Sequence, residues 1–202
     1  MLDIRGVGGP GVLLLPGGAA AVAGFFPGLV EGLVADPGCR VILHDRPGTG
    51  ASGVGGSLAR AAADLHATVA EAGLGPVVVI GQSLGGAVAA LFARDYPADV
   101  AGVVLIDPSP VNDAVMARRL TQTMGTVERL HRLPVLGRVV QPLIGAVGVN
   151  RHLRRATRPD VRAAWVELVS WPGADHNAQL THPDEVLEVS RDVVRQVRAG
   201  RA

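Results

Sequence analysis

A serine stands between two glycines at the point where a predicted strand meets a predicted helix. Residues 81–86, Gly-Gln-Ser-Leu-Gly-Gly, follow an apolar run at 77–80 and precede a small-residue helical stretch at 87–94. In that context a G-x-S-x-G sequence predicts a sharp turn with Ser83 in a strained backbone conformation. Glycine is needed on both sides because neighbouring backbone comes too close for a Cβ atom. The following helix directs its N-terminus at the hydroxyl, so the turn predicts Ser83 as a nucleophile.

Short apolar runs rich in β-branched residues recur at 12–15, 40–43, 77–80 and 100–106. Runs of this kind are typical of parallel strands that are buried on both faces. Between the second and third runs, residues 57–72 carry apolar side chains at helical spacing. Ser57 is a suitable N-cap for this helix, and Gly73 lies just past its end. Strands that alternate with helices of this length predict an α/β fold, a doubly wound and mostly parallel sheet.

The pattern changes in the second half of the chain. Residues 111–160 contain helical stretches broken by proline and glycine but no clear strand. We predict that they form a small helical cap inserted into a core domain made of residues 1–110 and 161–202. Within the core, a helix over 161–167 and a short strand over 168–171 are expected.

The last helix is predicted to start near Pro183, a residue suited to the first helical turn, and to end near Arg198.

The composition limits the expected partners and compartment. The net charge of +1 gives no reason to expect nucleic acid as a partner. Arginines concentrate between residues 118 and 162, where a solvated helical face is favoured over a site for acidic substrates or lipid headgroups. No apolar run reaches the roughly 18 residues that a membrane span needs. Cys39 is the one cysteine and no signal peptide is visible, so we expect a cytoplasmic protein without a disulfide.

A serine hydroxyl becomes a good nucleophile when a neighbouring base takes its proton, and the chain has six histidines. His176 lies in a loop directly after the last predicted strand and before the last helix. A parallel sheet places its functional residues at such positions. We therefore predict His176 as the base. The other histidines are expected to have structural roles or to lie in the cap: His44, His66, His131, His152 and His182.

Four segments give the chain a resemblance to the α/β-hydrolase family. They are residues 13–18, 43–52, the serine turn at 81–86, and the histidine loop at 173–177 with 182–186 behind it. The serine turn and the histidine loop, in that order, are the specific parts of the match. The resemblance implies an α/β-hydrolase fold that is shortened between the cap and the histidine loop.

The resemblance also implies an oxyanion hole. The family makes it from the amide after the nucleophile and from an amide in the loop after an early strand. By position, these are the N–H groups of Leu84 and Gly18, with Ala19 as an alternative to Gly18. Many members have His-Gly where this chain has Pro16-Gly17. Because the donors are backbone amides, that difference leaves the predicted hole intact.

The acid that would orient the histidine is open to three interpretations. In most of the family an aspartate follows a strand between the cap and the histidine loop, and that strand is hard to locate here. Asp107 ends the run at 100–106, where some relatives carry the acid. Asp160 is the one carboxylate within residues 158–171 that lies outside the predicted helix, and the third interpretation is that no acid exists. Asp175 adjoins His176 too closely to reach its far ring nitrogen. We take Asp107 as the predicted acid.

The expected function is cleavage of carboxylic esters with a small to medium acyl chain through an acyl-enzyme. Alternatives are a non-catalytic or weakly active binding protein of the same fold, or a lactonase, C–C hydrolase or lyase on the same scaffold. No cofactor is expected, and the absence of paired cysteines and of His-x-x-x-His argues against a metal site. The expected partner is a small-molecule ester. A sheet that has lost an edge strand could also pair with a second copy, which would give a homodimer.

Overall fold

The computed structural model describes residues 3–18, 21–45, 58–109, 166–168 and 176–200. The secondary-structure elements in these residues belong to one compact unit, Met1–Pro108 with Asp160–Ala202. The strands are β1 (Asp3–Arg5), β2 (Gly11–Leu15), β3 (Arg40–Leu43), β4 (Val77–Gln82), β5 (Val100–Ile106) and β6 (Val166–Leu168). The α-helices are α1 (Leu29–Ala35), α2 (Leu58–Ala72), α3 (Leu84–Asp95), α4 (Ala178–Thr181) and α5 (Pro183–Arg198). A 3₁₀ helix at Pro97–Asp99 leads into β5.

The strands form one sheet in the order β1-β3-β2-β4-β5-β6. β1 is antiparallel to β3, and every other pair is parallel. The chain passes from β2 to β3 on one side of β2 and then crosses to β4 on the other side. Ligands of open α/β sheets bind at the carboxyl ends of the strands that flank such a reversal. The loop after β2 and the turn after β4 therefore lie where a site is expected.

Helices cover both faces of the sheet, which explains why the central strands are apolar without alternation. Along β2, Val12 and Leu14 join a hydrophobic cluster that includes residues of α1 and α5. Leu13 and Leu15 point to the opposite face and join a second cluster, with residues of α2 and α3. All five residues of β2 are buried. The core on both faces thus holds β2 and β4 in fixed positions beside the reversal.

The structure confirms the predicted α/β fold. The four apolar runs are strands β2 to β5, and α5 has the predicted bounds. Helix α2 begins at Leu58 and is followed by Gly73, whose φ of +62° is the left-handed conformation typical of a helix end. The predicted N-cap, Ser57, lies outside the described residues. Among the described helices, none is both long and apolar enough to cross a membrane.

The segment before the histidine loop differs from the prediction. The predicted helix over 161–167 is wrong at Val166 and Glu167, because these residues form β6 together with Leu168. Strand β6 pairs in parallel with β5, and that long-range pairing, which local periodicity cannot show, decides the conformation. The predicted strand over 168–171 overlaps β6 only at its first residue. The rest of both predicted elements and the predicted cap at 111–160 lie outside the described residues.

Arginine side chains of α5 hold the end of α1. Arg191 donates to the carbonyl oxygens of Gly32 and Asp36, and Arg198 donates to the carbonyl oxygen of Pro37. Arg195 forms an ion pair with the Asp36 carboxylate at 2.6 Å. Gly32 also accepts from the Asp36 N–H at the end of α1, and Asp36 and Pro37 directly follow the helix, so these contacts attach the end of α1 to α5.

Candidate active site

Ser83 lies between β4 and α3 with backbone angles that are unusual for a serine. Its φ is 51° and its ψ is −118°, and it occupies the N-cap position of α3. Its N–H donates to the carbonyl oxygen of Ile106 at 3.0 Å, and its own carbonyl accepts from Ala87 at 3.1 Å. The predicted strand-turn-helix around the serine is therefore present, and two hydrogen bonds fix the strained residue.

The glycines of the serine turn are required by space. A methyl group placed on Gly81 would lie 2.6 Å from the carbonyl oxygen of Gly85. One placed on Gly85 would overlap the carbonyl oxygen of Leu15 at the end of β2. Neither glycine has a positive φ, so conformational freedom is not the reason for their presence. The close approach lets the start of α3 pack against the end of β2.

Asp107 follows β5 as Ser83 follows β4. The residues that precede them, Gln82 and Ile106, are paired in register between the two strands. Ser83 and Asp107 are the two non-glycine residues with positive φ in the described part of the chain, at 51° and 41°. Such conformations cost on the order of 1–3 kcal/mol each and persist where the surroundings fix them. Both strained residues therefore lie side by side at the carboxyl edge of the sheet.

His176 lies between these two residues. Its Nδ1 is 2.7 Å from Oδ2 of Asp107, and its Nε2 is 2.9 Å from Oγ of Ser83. With the ring proton on Nδ1, the histidine donates to the carboxylate, and Nε2 accepts the hydroxyl proton of Ser83. The side chains of His176 and Asp107 are 32% and 30% exposed, so the pair is partly shielded from water. This arrangement can remove the proton from Ser83 and stabilise the resulting imidazolium.

Four of the other candidate residues lie outside the described part of the chain: Asp160, Asp175, His131 and His152. Of the remaining histidines, His44 follows β3 and His182 precedes α5. Nδ1 of His66, on α2, shares a hydrogen bond with Oδ2 of Asp99 at 2.5 Å, and the His66 ring stacks on Tyr96. Among the described residues, no cluster of His, Cys, Asp and Glu could hold a metal ion.

The predicted oxyanion donors lie on the two segments that meet at Ser83. Leu84 is the first residue of α3, and the first amides of a helix have no acceptor within it. Gly18 is exposed in the loop after β2, two positions beyond Pro16, and Ala19 lies outside the described residues. The neighbouring Gly17 approaches the serine closely, because a methyl group placed on it would lie 3.0 Å from Cβ of Ser83.

One residue at the site was missed by sequence reasoning. The side-chain amide of Gln82, which is 2% exposed, donates to the carbonyl oxygen of His176 at 2.6 Å. A glutamine directly before the serine, in an otherwise apolar buried strand, is the signal that could have identified it. A polar side chain at such a position needs a hydrogen-bond partner.

A family model described as the alpha/beta hydrolase fold matches residues 10–167, which is more than half of the chain. The chain belongs to the α/β-hydrolase fold family. Among curated proteins, this α/β-hydrolase is 43% identical over 60 residues to Lipase LipV of Mycobacterium tuberculosis. That match covers 30% of the chain and 23% of the lipase, so the chain matches less than a quarter of that relative's length.

Solved structures of similar fold span nearly all of this α/β-hydrolase. BpoC of Mycobacterium tuberculosis H37Rv superposes with a TM-score of 0.75 and 18% identity, covering 98% of this chain and 96% of BpoC. A thermophilic esterase from Thermogutta terrifontis superposes with a TM-score of 0.69 and 20% identity, covering 98% and 93%. At these identities the likeness concerns the fold, and the chemistry must be argued from the site.

Proposed function

We propose that this α/β-hydrolase is a serine hydrolase that cleaves carboxylic esters through an acyl-enzyme. The observation that carries the proposal is the continuous chain of hydrogen bonds from Ser83 Oγ through both ring nitrogens of His176 to Asp107, at 2.9 and 2.7 Å. Ser83 is the nucleophile, His176 the general base and acid, and Asp107 the residue that orients the ring. The strained turn that holds the half-buried Ser83 at the end of β4 supports the same assignment.

The reaction proceeds in two halves. Oγ of Ser83 attacks the ester carbonyl carbon while its proton passes to Nε2 of His176, and the imidazolium gives that proton to the departing alcohol. A water molecule then loses a proton to His176 and attacks the acyl carbon. The bond to Oγ breaks, the carboxylic acid leaves, and the proton returns to Ser83.

The negative charge on the substrate oxygen is held by backbone amides in this proposal. The N–H of Leu84 is available at the start of α3, where the helix dipole also favours negative charge. The N–H of Gly18 is the second donor, from the loop that packs against the serine through Gly17. The loss of one such donor typically costs about 10²–10³ in kcat, so in this proposal the loop after β2 makes a substantial contribution to the rate.

The proposed substrates are esters of small to medium acyl chain length. Support comes from the relatives, one called a lipase and one an esterase. A series of nitrophenyl esters of increasing chain length tests this class, with a maximum expected at short or medium chains. Equal rates across the series would contradict a shaped acyl pocket.

A fluorophosphonate probe tests the nucleophile directly. We expect the parent protein to be labelled at Ser83 and to hydrolyse nitrophenyl esters, whereas Ser83→Ala does neither. The matched control is Ser190→Ala, which removes a buried hydroxyl in α5 that bonds the carbonyl of Val186 at 2.6 Å. This control keeps both labelling and hydrolysis. A folded parent protein that the probe does not label would overturn the proposal in favour of a non-catalytic binding protein.

We also propose a cytoplasmic location and pairing of two copies through a sheet edge. Cys39 is buried and is the one cysteine, which suits a reducing compartment. The outer strands of the described sheet are β1 and β6. Sedimentation analysis measures the assembly state, and a monomer at micromolar concentration would contradict the pairing.

A further inference from the structure

Two glutamine side chains in the described residues are buried almost completely. Gln82, at the end of β4, is 2% exposed, and Gln179, on α4, is 1% exposed. They differ in their bonding: the Gln82 amide donates a hydrogen bond, whereas both polar atoms of the Gln179 side chain have no partner among the described residues. The described residues therefore contain one glutamine with a hydrogen-bonded amide, Gln82, and one whose amide has no partner among them, Gln179. Gln82 contacts His176 directly, and Gln179 lies three positions after His176 in the chain.

The hydrogen bond of Gln82 joins distant parts of the chain. Its Nε2 donates to the backbone carbonyl of His176 at 2.6 Å, across 94 positions. Asp107 holds only the ring of that histidine, through Nδ1. The ring can rotate about its side-chain bonds, so a fixed carboxylate alone does not fix the position of the backbone. The Gln82 bond supplies this second constraint.

The other end of the Gln82 amide contacts the loop after β2. A methyl group placed on Gly17 would overlap Oε1 of Gln82 and would lie 3.0 Å from Cβ of Ser83. Gly17 has no positive φ, so it is needed here for space. The amide of Gln82 thus occupies the volume in which any larger residue at position 17 would have its Cβ atom.

We infer that Gln82 is a positioning residue that ties two segments to the serine turn. One is the histidine loop at His176, and the other is the oxyanion loop, which is the loop after β2 that carries Gly17 and Gly18. This inference rests on the proposed function. Gln82 directly precedes Ser83 on β4, so its backbone moves with the nucleophile, and its side chain contacts the two segments that must meet the nucleophile. Misplacement of a catalytic group by about 1 Å costs on the order of 10²-fold in rate.

The test compares Gln82→Met with Gln179→Met. Methionine has nearly the size of glutamine but cannot donate to the His176 carbonyl. We expect Gln82→Met to lower kcat for a nitrophenyl ester by about 10- to 100-fold with KM within about threefold, and to slow fluorophosphonate labelling by a similar factor. Gln179→Met is the matched control, because the side chain that it removes has no hydrogen-bond partner in the described part of the chain. Its kcat and labelling rate remain those of the parent protein.

A second variant tests the contact at the oxyanion loop. Gly17→Ala forces the Gln82 amide to move, so it should lower kcat and the labelling rate, as Gln82→Met does. If the two residues act through the same contact, the losses in the double variant are smaller than the product of the single losses. Losses that simply multiply would overturn the part of the inference that concerns the oxyanion loop.

A spectroscopic measurement tests the inference independently of turnover. In ¹⁵N-histidine-labelled protein, the His176 ring proton shared with Asp107 gives a deshielded NMR signal. We expect this signal in the parent protein and in Gln179→Met, and its loss or broadening in Gln82→Met at unchanged folded fraction. A retained signal, or a loss of rate only in proportion to the unfolded fraction, would overturn the inference. If the parent protein hydrolyses no ester, the proposed function fails while the NMR comparison still decides the role of Gln82.

Discussion

The replacement of Asp107 by asparagine changes one oxygen of the proposed triad and little else. Oδ2 of Asp107 accepts from Nδ1 of His176 at 2.7 Å, which leaves Nε2 free of its proton and able to accept from Ser83. An amide at this position can present its NH₂ group to Nδ1, and the ring proton then moves to Nε2. In that tautomer the ring cannot take the hydroxyl proton. Asparagine also tolerates the positive φ of 41° at this position, so the fold is retained.

The size of the effect follows from the tautomer and from the exposure of the pair. In serine-protease triads the same change lowers kcat by about 10⁴-fold. The side chains of Asp107 and His176 are about a third exposed, and water can therefore replace part of the lost interaction. We expect a decrease in kcat of about 10³- to 10⁴-fold with KM little changed. This corresponds to about 4–5.5 kcal/mol of transition-state stabilisation.

The assay is steady-state hydrolysis of a short nitrophenyl ester, with thermal unfolding by circular dichroism to verify folding. Asp160→Asn is the matched control, because it makes the same chemical change at the other carboxylate that the sequence allows. We expect Asp160→Asn to retain the parent kcat. An Asp107→Asn protein within about threefold of the parent protein, or an equal loss in Asp160→Asn, would refute the assignment of the acid.

Three further changes probe the scaffold. The methyl group introduced by Gly85→Ala would overlap the Leu15 carbonyl oxygen. This variant should therefore lower the free energy of unfolding by at least about 2 kcal/mol, which denaturant titration measures, and it should abolish ester hydrolysis. Burial raises the pKa of the Cys39 thiol to about 11, whereas a thiol in the unfolded chain has a pKa of about 8.5. As the pH rises, the unfolded chain therefore loses this proton before the folded protein does, and the free energy of unfolding decreases between pH about 8.5 and about 11. Cys39→Ala should flatten that decrease, and an unchanged slope would contradict it. Asp36→Asn removes the ion pairs that the exposed Asp36 carboxylate forms with Arg195 and Arg191, and it should change the free energy of unfolding by less than about 1 kcal/mol.

The sequence predicts the strands and helices whose own residues determine their conformation. β2 to β5 are apolar along their length because both faces are covered, and α2 and α5 have helical spacing over 15 and 16 residues. Elements whose conformation depends on pairing with distant residues cannot be predicted from local sequence in the same way. β1 is a three-residue exposed edge strand, and β6 is extended because β5 pairs with it. α1 and α4, with 7 and 4 residues, are too short to show a helical period.

The same distinction applies to the candidate site. Ser83 is indicated by a local motif, and His176 by its place after a strand in the chain order. Nothing local distinguishes Asp107 from an ordinary turn residue, because its contact with the histidine spans 69 positions. Gln82 occupies a motif position at which the pattern allows any residue, so its hydrogen bond to the histidine loop becomes visible only in the folded chain.

The position of the acid has a consequence for how the histidine must be held. Strands β4 and β5 are adjacent and paired in register, and Ser83 and Asp107 directly follow them. The ends of these two strands are therefore about 4.8 Å apart, which is the ordinary spacing of adjacent strands. The two residues are therefore fixed relative to each other by the sheet itself. His176 is the one member of the proposed triad that comes from outside these two strands. Any error in the triad is then an error in the placement of the histidine loop, and the buried amide of Gln82 contacts that loop from the strand that also carries the nucleophile.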